Sequence, residues 1–87
     1  MSFNATLNSD DAFVITPSTN GNTKFTAVAI YVGGTGGQFK DVNLMTGQGT
    51  TVLHKGVPVG NYIRGLMISA VRTTSTTASA TLIGYKL

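Results

Sequence analysis

Phe25-Thr26-Ala27-Val28-Ala29-Ile30-Tyr31-Val32, running into Gly33-Gly34-Thr35-Gly36-Gly37, decides the fold class. Side chains of an extended chain alternate between faces, so Val28, Ile30 and Val32 share one face and Ala27, Ala29 and Tyr31 the other. Both faces are apolar, which predicts a strand covered on both sides and therefore central in a sheet. The glycines that follow are too flexible to prolong the strand, and they predict a turn over Gly33 to Gly37.

The same pattern recurs on either side. Upstream, Ala12 to Thr16 is a short strand-like block closed by Thr16-Pro17-Ser18, and Asn20-Gly21 then predicts a loop or hairpin. Downstream, Phe39 to Met45 sets Val42 against a solvent-facing Lys40, and Gly47-Gln48-Gly49 separates it from Thr51 to Lys55. Gly56-Val57-Pro58-Val59-Gly60-Asn61 predicts a sharp corner, because Pro58 has no N–H for a ladder. Tyr62 to Thr73 is the longest strand-like run, and Gly65 inside it predicts a bulge or bend where one strand crosses between sheets. Thr73 to Thr77 reads as a polar turn. Ser79 to Leu87 places Leu82 on one face and Ile83, Tyr85 and Leu87 on the other, and is expected to finish inside a sheet or an interface. Helical signals are nearly missing. The expectation is an all-β chain: a single small β-sandwich or jelly-roll-like barrel of about six to eight strands. One β domain is expected over residues 1–87, with residues 1–9 as an extended N-terminal arm.

A chain of 87 residues supports only a thin core, since a domain this small buries about 60–65% of the surface its unfolded form exposes. Cysteine is absent, so no disulfide staples that core and oligomerisation is a natural way to add buried area. Charged residues make up 10% of the chain, well below the usual level. Depletion of charge marks surface that ends up inside interfaces, although Thr-rich extracellular sandwiches share this composition. The net charge of +3 rests on Lys24, Lys40, Lys55, Arg64, Arg72 and Lys86, spread singly with no basic run. Met1 to Ala5 carry no positive n-region, and no apolar run follows, so a cytosol-made protein without a secretory signal is expected. Ala27 to Val32 is far too short to span a bilayer, and no membrane association is expected.

The residues offer little for catalysis. His54 stands alone between Leu53 and Lys55, where a metal needs converging ligands. A structural or surface role is expected for it, the alternative being a place on a symmetry axis where copies of this histidine meet. Asp10 and Asp11 would point to opposite faces of a strand and Asp41 lies on another block, so no acid/base pair forms. The hydroxyls lack a base and an orienting group. The Gly33–Gly37 segment lacks the Gly-Lys-Ser/Thr ending of a phosphate loop and has no helix behind it. No catalytic, cofactor-binding or metal-binding residue is assigned, and no cofactor or enzymatic activity is expected. Tyr31, Phe39, Tyr62 and Tyr85, interleaved with Lys and Arg, suit a small barrel that binds single-stranded nucleic acid, but scattered positives make a nucleic-acid partner the weaker reading. A carbohydrate-binding module is a further alternative.

Ala29-Ile30-Tyr31-Val32-Gly33-Gly34, then Val57-Pro58-Val59-Gly60-Asn61-Tyr62-Ile63, then Val71-Arg72 into Thr73-Thr74-Ser75-Thr76-Thr77-Ala78, and a closing Ile83-Gly84-Tyr85 carry a resemblance. In order and spacing the chain resembles very small virion proteins of tailed bacteriophages and gene transfer agents, described as head-spike base or capsid decoration (cement) proteins. Ser75 stands where that pattern has Gly. The resemblance implies a non-enzymatic virion structural protein on the outer capsid surface, made in the host cytoplasm. It also implies contact with the major capsid protein, a symmetric homo-oligomer, most often a homotrimer, and in some cases a fibre anchored on top. The exposed contact candidates are Gly33 to Gly37, Thr73 to Thr77 and the N-terminal segment through Asn8.

Overall fold

The computed structural model describes residues 11–18 and 25–86. The expected N-terminal arm, the Asn20-Gly21 hairpin and Leu87 lie outside the described residues. Six strands follow in chain order: β1 (Asp11–Ile15), β2 (Ala27–Gly34), β3 (Phe39–Thr46), β4 (Thr51–Pro58), β5 (Asn61–Arg72) and β6 (Ala80–Lys86). They join in one sheet of order β1-β6-β2-β5-β3-β4, every neighbouring pair antiparallel. No helix occurs among the described residues, so the expected all-β class holds. β2 lies between β6 and β5, the central place its two apolar faces predict.

The sheet curls on itself. Residues from β1, β6, β2, β5 and β3 meet in a single core of Ile15, Leu82, Ile30, Val32, Ile63, Ile68, Val71, Val42 and Leu44, with Ala27. The molecule measures 36 × 29 × 18 Å, and its shortest dimension accommodates two layers at the usual spacing of about 10 Å between sheets. The fold-over is centred on β5. Its first half pairs with β2 through Asn61 to Arg64, and its second half pairs with β3 through Ile68 to Arg72. Between Ala29↔Arg64 and Ala27↔Ile68, two steps along β2 correspond to four along β5. Gly65 sits in that surplus at φ 87°, a left-handed conformation that Gly enters without steric cost. The bend predicted at Gly65 is present, within one continuous sheet.

Several local expectations change. β2 extends through Gly33 and Gly34, which pair with Thr81 and Ala80, and the turn is confined to the residues after them. A Cβ at Gly34, where φ is 123°, would lie 2.2 Å from the Ser79 carbonyl oxygen, so the strand continues because those residues are glycines. The irregularity between Ala27 and Ala29 turns Ala27 into the core and leaves Val28 half-buried, against simple alternation. β4 runs on to Pro58 instead of breaking at Gly56. Three steps on β4 match two on β3 between Lys40↔Val57 and Val42↔His54, and Gly56 (φ 69°) falls within this bulge. Pro58 is tolerated because β4 ends the strand order and is an edge strand. Ser75, at φ 66°, is the non-glycine residue with positive φ among those described, which explains why glycine suits this turn.

Lys40 is the clearest correction. Expected in solvent, it is instead fully buried, while its neighbour Phe39 is 60% exposed. Lys40, Val42 and Leu44 share the inward face of β3, and the lysine stem packs there as an apolar chain.

Candidate functional site

Two surfaces emerge from this fold. The first is a rim at one end of the sheet, where the Gly33–Gly37 segment meets the β5–β6 connection. Lys40 joins them from beneath: its Nζ donates to the Thr35 carbonyl at 2.5 Å and to Ser79 Oγ at 3.0 Å. Both acceptors belong to exposed residues, so the stem spans the core and the head reaches the rim. The Thr73–Thr77 turn divides in two. Thr73, Thr74 and Ser75 are exposed, whereas Thr76 and Thr77 are half-buried and committed to structure. Thr76 Oγ1 accepts from the Asn43 N–H and donates to the Arg72 carbonyl, and Thr77 Oγ1 accepts from the Asp41 N–H at 2.9 Å. These bonds continue the β3 ladder beyond the end of β5; the Thr73 and Thr74 backbone is also bonded, to Ser18, Thr76 and Asn43, and what the first half of the turn exposes is its side chains. Phe39, Pro58 and Val59 border a shallow apolar recess with Gly37 and Gln38.

The second surface is the outer face of the layer made by β1, β6, β2 and the first half of β5. Its side chains alternate with the core residues: Val14 on β1, Ile83 and Tyr85 on β6, Tyr31 on β2, and Tyr62 and Arg64 on β5. Tyr31 is directly opposite Tyr62, and their rings meet edge to face with centroids 5.4 Å apart. Tyr85 approaches Tyr62 from the other side at 5.9 Å, and the Arg64 guanidinium lies 5.9 Å from the Tyr62 centroid. The Tyr31 ring lies over Gly33, where an added Cβ would come within 2.8 Å of it. Tyr85 is pushed above the ordinary tyrosine pKa, first by desolvation and then by Tyr62 and Tyr31 beside it. Val14, 72% exposed, and Tyr62, 39% exposed, are open to solvent with Arg64, while Tyr31, Ile83 and Tyr85 are half-buried.

Of the four aromatics singled out in the sequence, the fold brings together Tyr31, Tyr62 and Tyr85 and sets Phe39 elsewhere, on the strand paired with Pro58. The convergence depends on cross-strand register, which no short-range spacing reveals; the odd-numbered run Ala29, Tyr31, Gly33 was its only local sign. His54 lies within β4 as expected, opposite Val42, half-buried, with a solvent-shielded Nδ1 that has no hydrogen-bond partner among the described residues. Among the described residues no three His, Cys, Asp or Glu side chains come together to hold a metal. Asp11 pairs with Lys86 at 3.6 Å, and Asp41 Oδ1 accepts from the Gly56 N–H at 2.9 Å, so the two described carboxylates stand apart in local roles. No helix among the described residues is long and apolar enough to cross a membrane.

The geometry defines a small all-β domain whose notable features are surfaces, an aromatic sheet face and a loop rim. The sequence matches no protein-family model and no curated protein. In three dimensions the chain is similar to one in a solved structure of the capsid of a native GTA particle computed with C5 symmetry, at TM-score 0.68 and 23% identity, over 91% of this chain and 84% of that one. That likeness shows a shared fold.

Proposed function

We propose that the chain is a non-enzymatic structural protein of a phage-like or gene-transfer-agent particle, attached to the outside of the head as a decoration protein or spike base. The observation that carries this reading is the shared fold with a chain of the GTA capsid structure over nearly the whole length of both. The composition supports it: 10% charged residues, with hydroxyl side chains filling the polar positions, suits surface that is covered in an assembly. A domain with so thin a core gains from association, and a small symmetric oligomer, a trimer in the simplest form, turns weak single contacts into firm attachment by making later contacts intramolecular. The major capsid protein is the partner this reading names.

The test is an add-back. Particles from a strain lacking the gene for this chain are mixed with the purified protein and sedimented. Co-sedimentation that saturates supports the proposal, and a protein that stays in the supernatant at every salt concentration refutes it.

A further inference from the structure

We infer that the tyrosine face, centred on Tyr62 and Arg64, is the surface that docks onto the particle, and that its partner is a protein surface presenting carboxylates among aliphatic side chains. This rests on the functional reading above and names the site and partner chemistry within it. Tyrosine and arginine at the middle of an apolar patch form the usual energetic centre of a protein interface. Here Tyr62 is flanked by Tyr31 and Tyr85, with Arg64 against its ring and Val14 and Ile83 extending the patch across β1 and β6.

Charge selects the occupant. Arg64 is exposed, and no carboxylate pairs with it among the described residues. A second copy of the chain is a poor complement, since it carries a net charge of +3 and only three carboxylates. Asp11 is already ion-paired with Lys86, Asp41 accepts from Gly56, and Asp10 lies outside the described residues. A nucleic-acid strand also fits poorly. Stacking requires open ring faces, whereas Tyr31 packs edge to face on Tyr62, Tyr85 tilts against it, and Tyr31 and Tyr85 are half-buried; Arg64 is the one cation on this face among the described residues. An acidic, partly aliphatic protein surface satisfies Arg64, covers Val14 and leaves the tyrosine cluster in place.

The test repeats the add-back with Arg64→Glu, Tyr62→Ala and, as a control on the far edge strand, Lys55→Glu, each checked for native circular dichroism. Arg64 is exposed, so its replacement reads docking even where Tyr62→Ala disturbs the fold. The expected result is a loss of affinity of about tenfold or more for Arg64→Glu and Tyr62→Ala, equivalent to ~1.4 kcal/mol, with Lys55→Glu close to the parent. Binding by the parent should weaken as salt rises. If the parent binds particles and Arg64→Glu binds equally well, the face is wrong while the functional reading stands. If the parent does not bind, both fall. Self-association in analytical ultracentrifugation that Arg64→Glu abolishes, or oligothymidylate binding that it abolishes, overturns the inference in favour of a second copy or a nucleic acid.

Discussion

Replacing Lys40 by Ala and by Met separates two ways in which a buried lysine holds this fold. Among the described residues Lys40 is the largest fully buried side chain, and its Nζ donates to the Thr35 carbonyl and Ser79 Oγ, both at the exposed rim. The stem is the greater part of its contribution. Lys40→Ala removes three buried methylenes at about 0.8 kcal/mol each and leaves a cavity beside Val42 and Leu44, for a total loss of about 3–4 kcal/mol. A domain of this length has roughly 4–13 kcal/mol to lose, so the variant gives up between about a quarter and nearly all of it. At about 4–8 °C per kcal/mol, its Tm drops by at least about 12 °C. Lys40→Met keeps the apolar bulk and removes the amine, while water takes over the two rim acceptors. It is expected within about 1 kcal/mol of the parent. Urea unfolding followed by tyrosine fluorescence measures both. A Met variant as unstable as the Ala variant would show that the hydrogen bonds to Thr35 and Ser79, and not the stem, carry the stability.

Other replacements probe the backbone and the tyrosine face. Ser75→Gly relieves a left-handed residue and is expected to raise stability by about 0.5–1 kcal/mol after the entropic cost of glycine, seen as a higher urea midpoint with unchanged slope. Gly34→Ala places a Cβ against the Ser79 carbonyl at a positive φ and should cost upwards of about 2 kcal/mol, detected by the same titration. Because the Tyr85 pKa is higher in the folded chain than in the unfolded one, the unfolded state releases its proton first. Stability is therefore unaffected by Tyr85 at neutral pH and falls as pH rises through the ordinary tyrosine value, and Tyr85→Phe should make that alkaline decline shallower in thermal melts.

The strands were legible where burial dictates period. Ile30 and Val32 against Tyr31 marked β2 as central, Leu82 against Ile83 and Tyr85 gave the two faces of β6, and Gly65 marked the bend in β5. The errors arose where a local rule met a tertiary demand. Gly33 and Gly34 read as a turn, but the Tyr31 ring and the Ser79 carbonyl require their missing side chains within the strand. Pro58 read as a break, but an edge strand has a side on which no donor is needed. Lys40 read as solvent-facing from its charge, although alternation already places it on the face of Val42 and Leu44, and the nearness of Thr35 and Ser79 explains where the head goes. The tyrosine face was visible as a set of residue types and invisible as a place, since Tyr31, Tyr62 and Tyr85 meet only through the register by which β2 inserts between β6 and β5, strands far from it in the chain.

The central claim is that this chain belongs to a particle. Quantitative mass spectrometry of gradient-purified particles from the encoding organism, counting the chain against the major capsid protein, tests it directly. A reproducible ratio is the result the account requires: near parity for decoration across the head, a small fraction for a spike base at special positions. Particles that band normally and contain none of it would contradict the account.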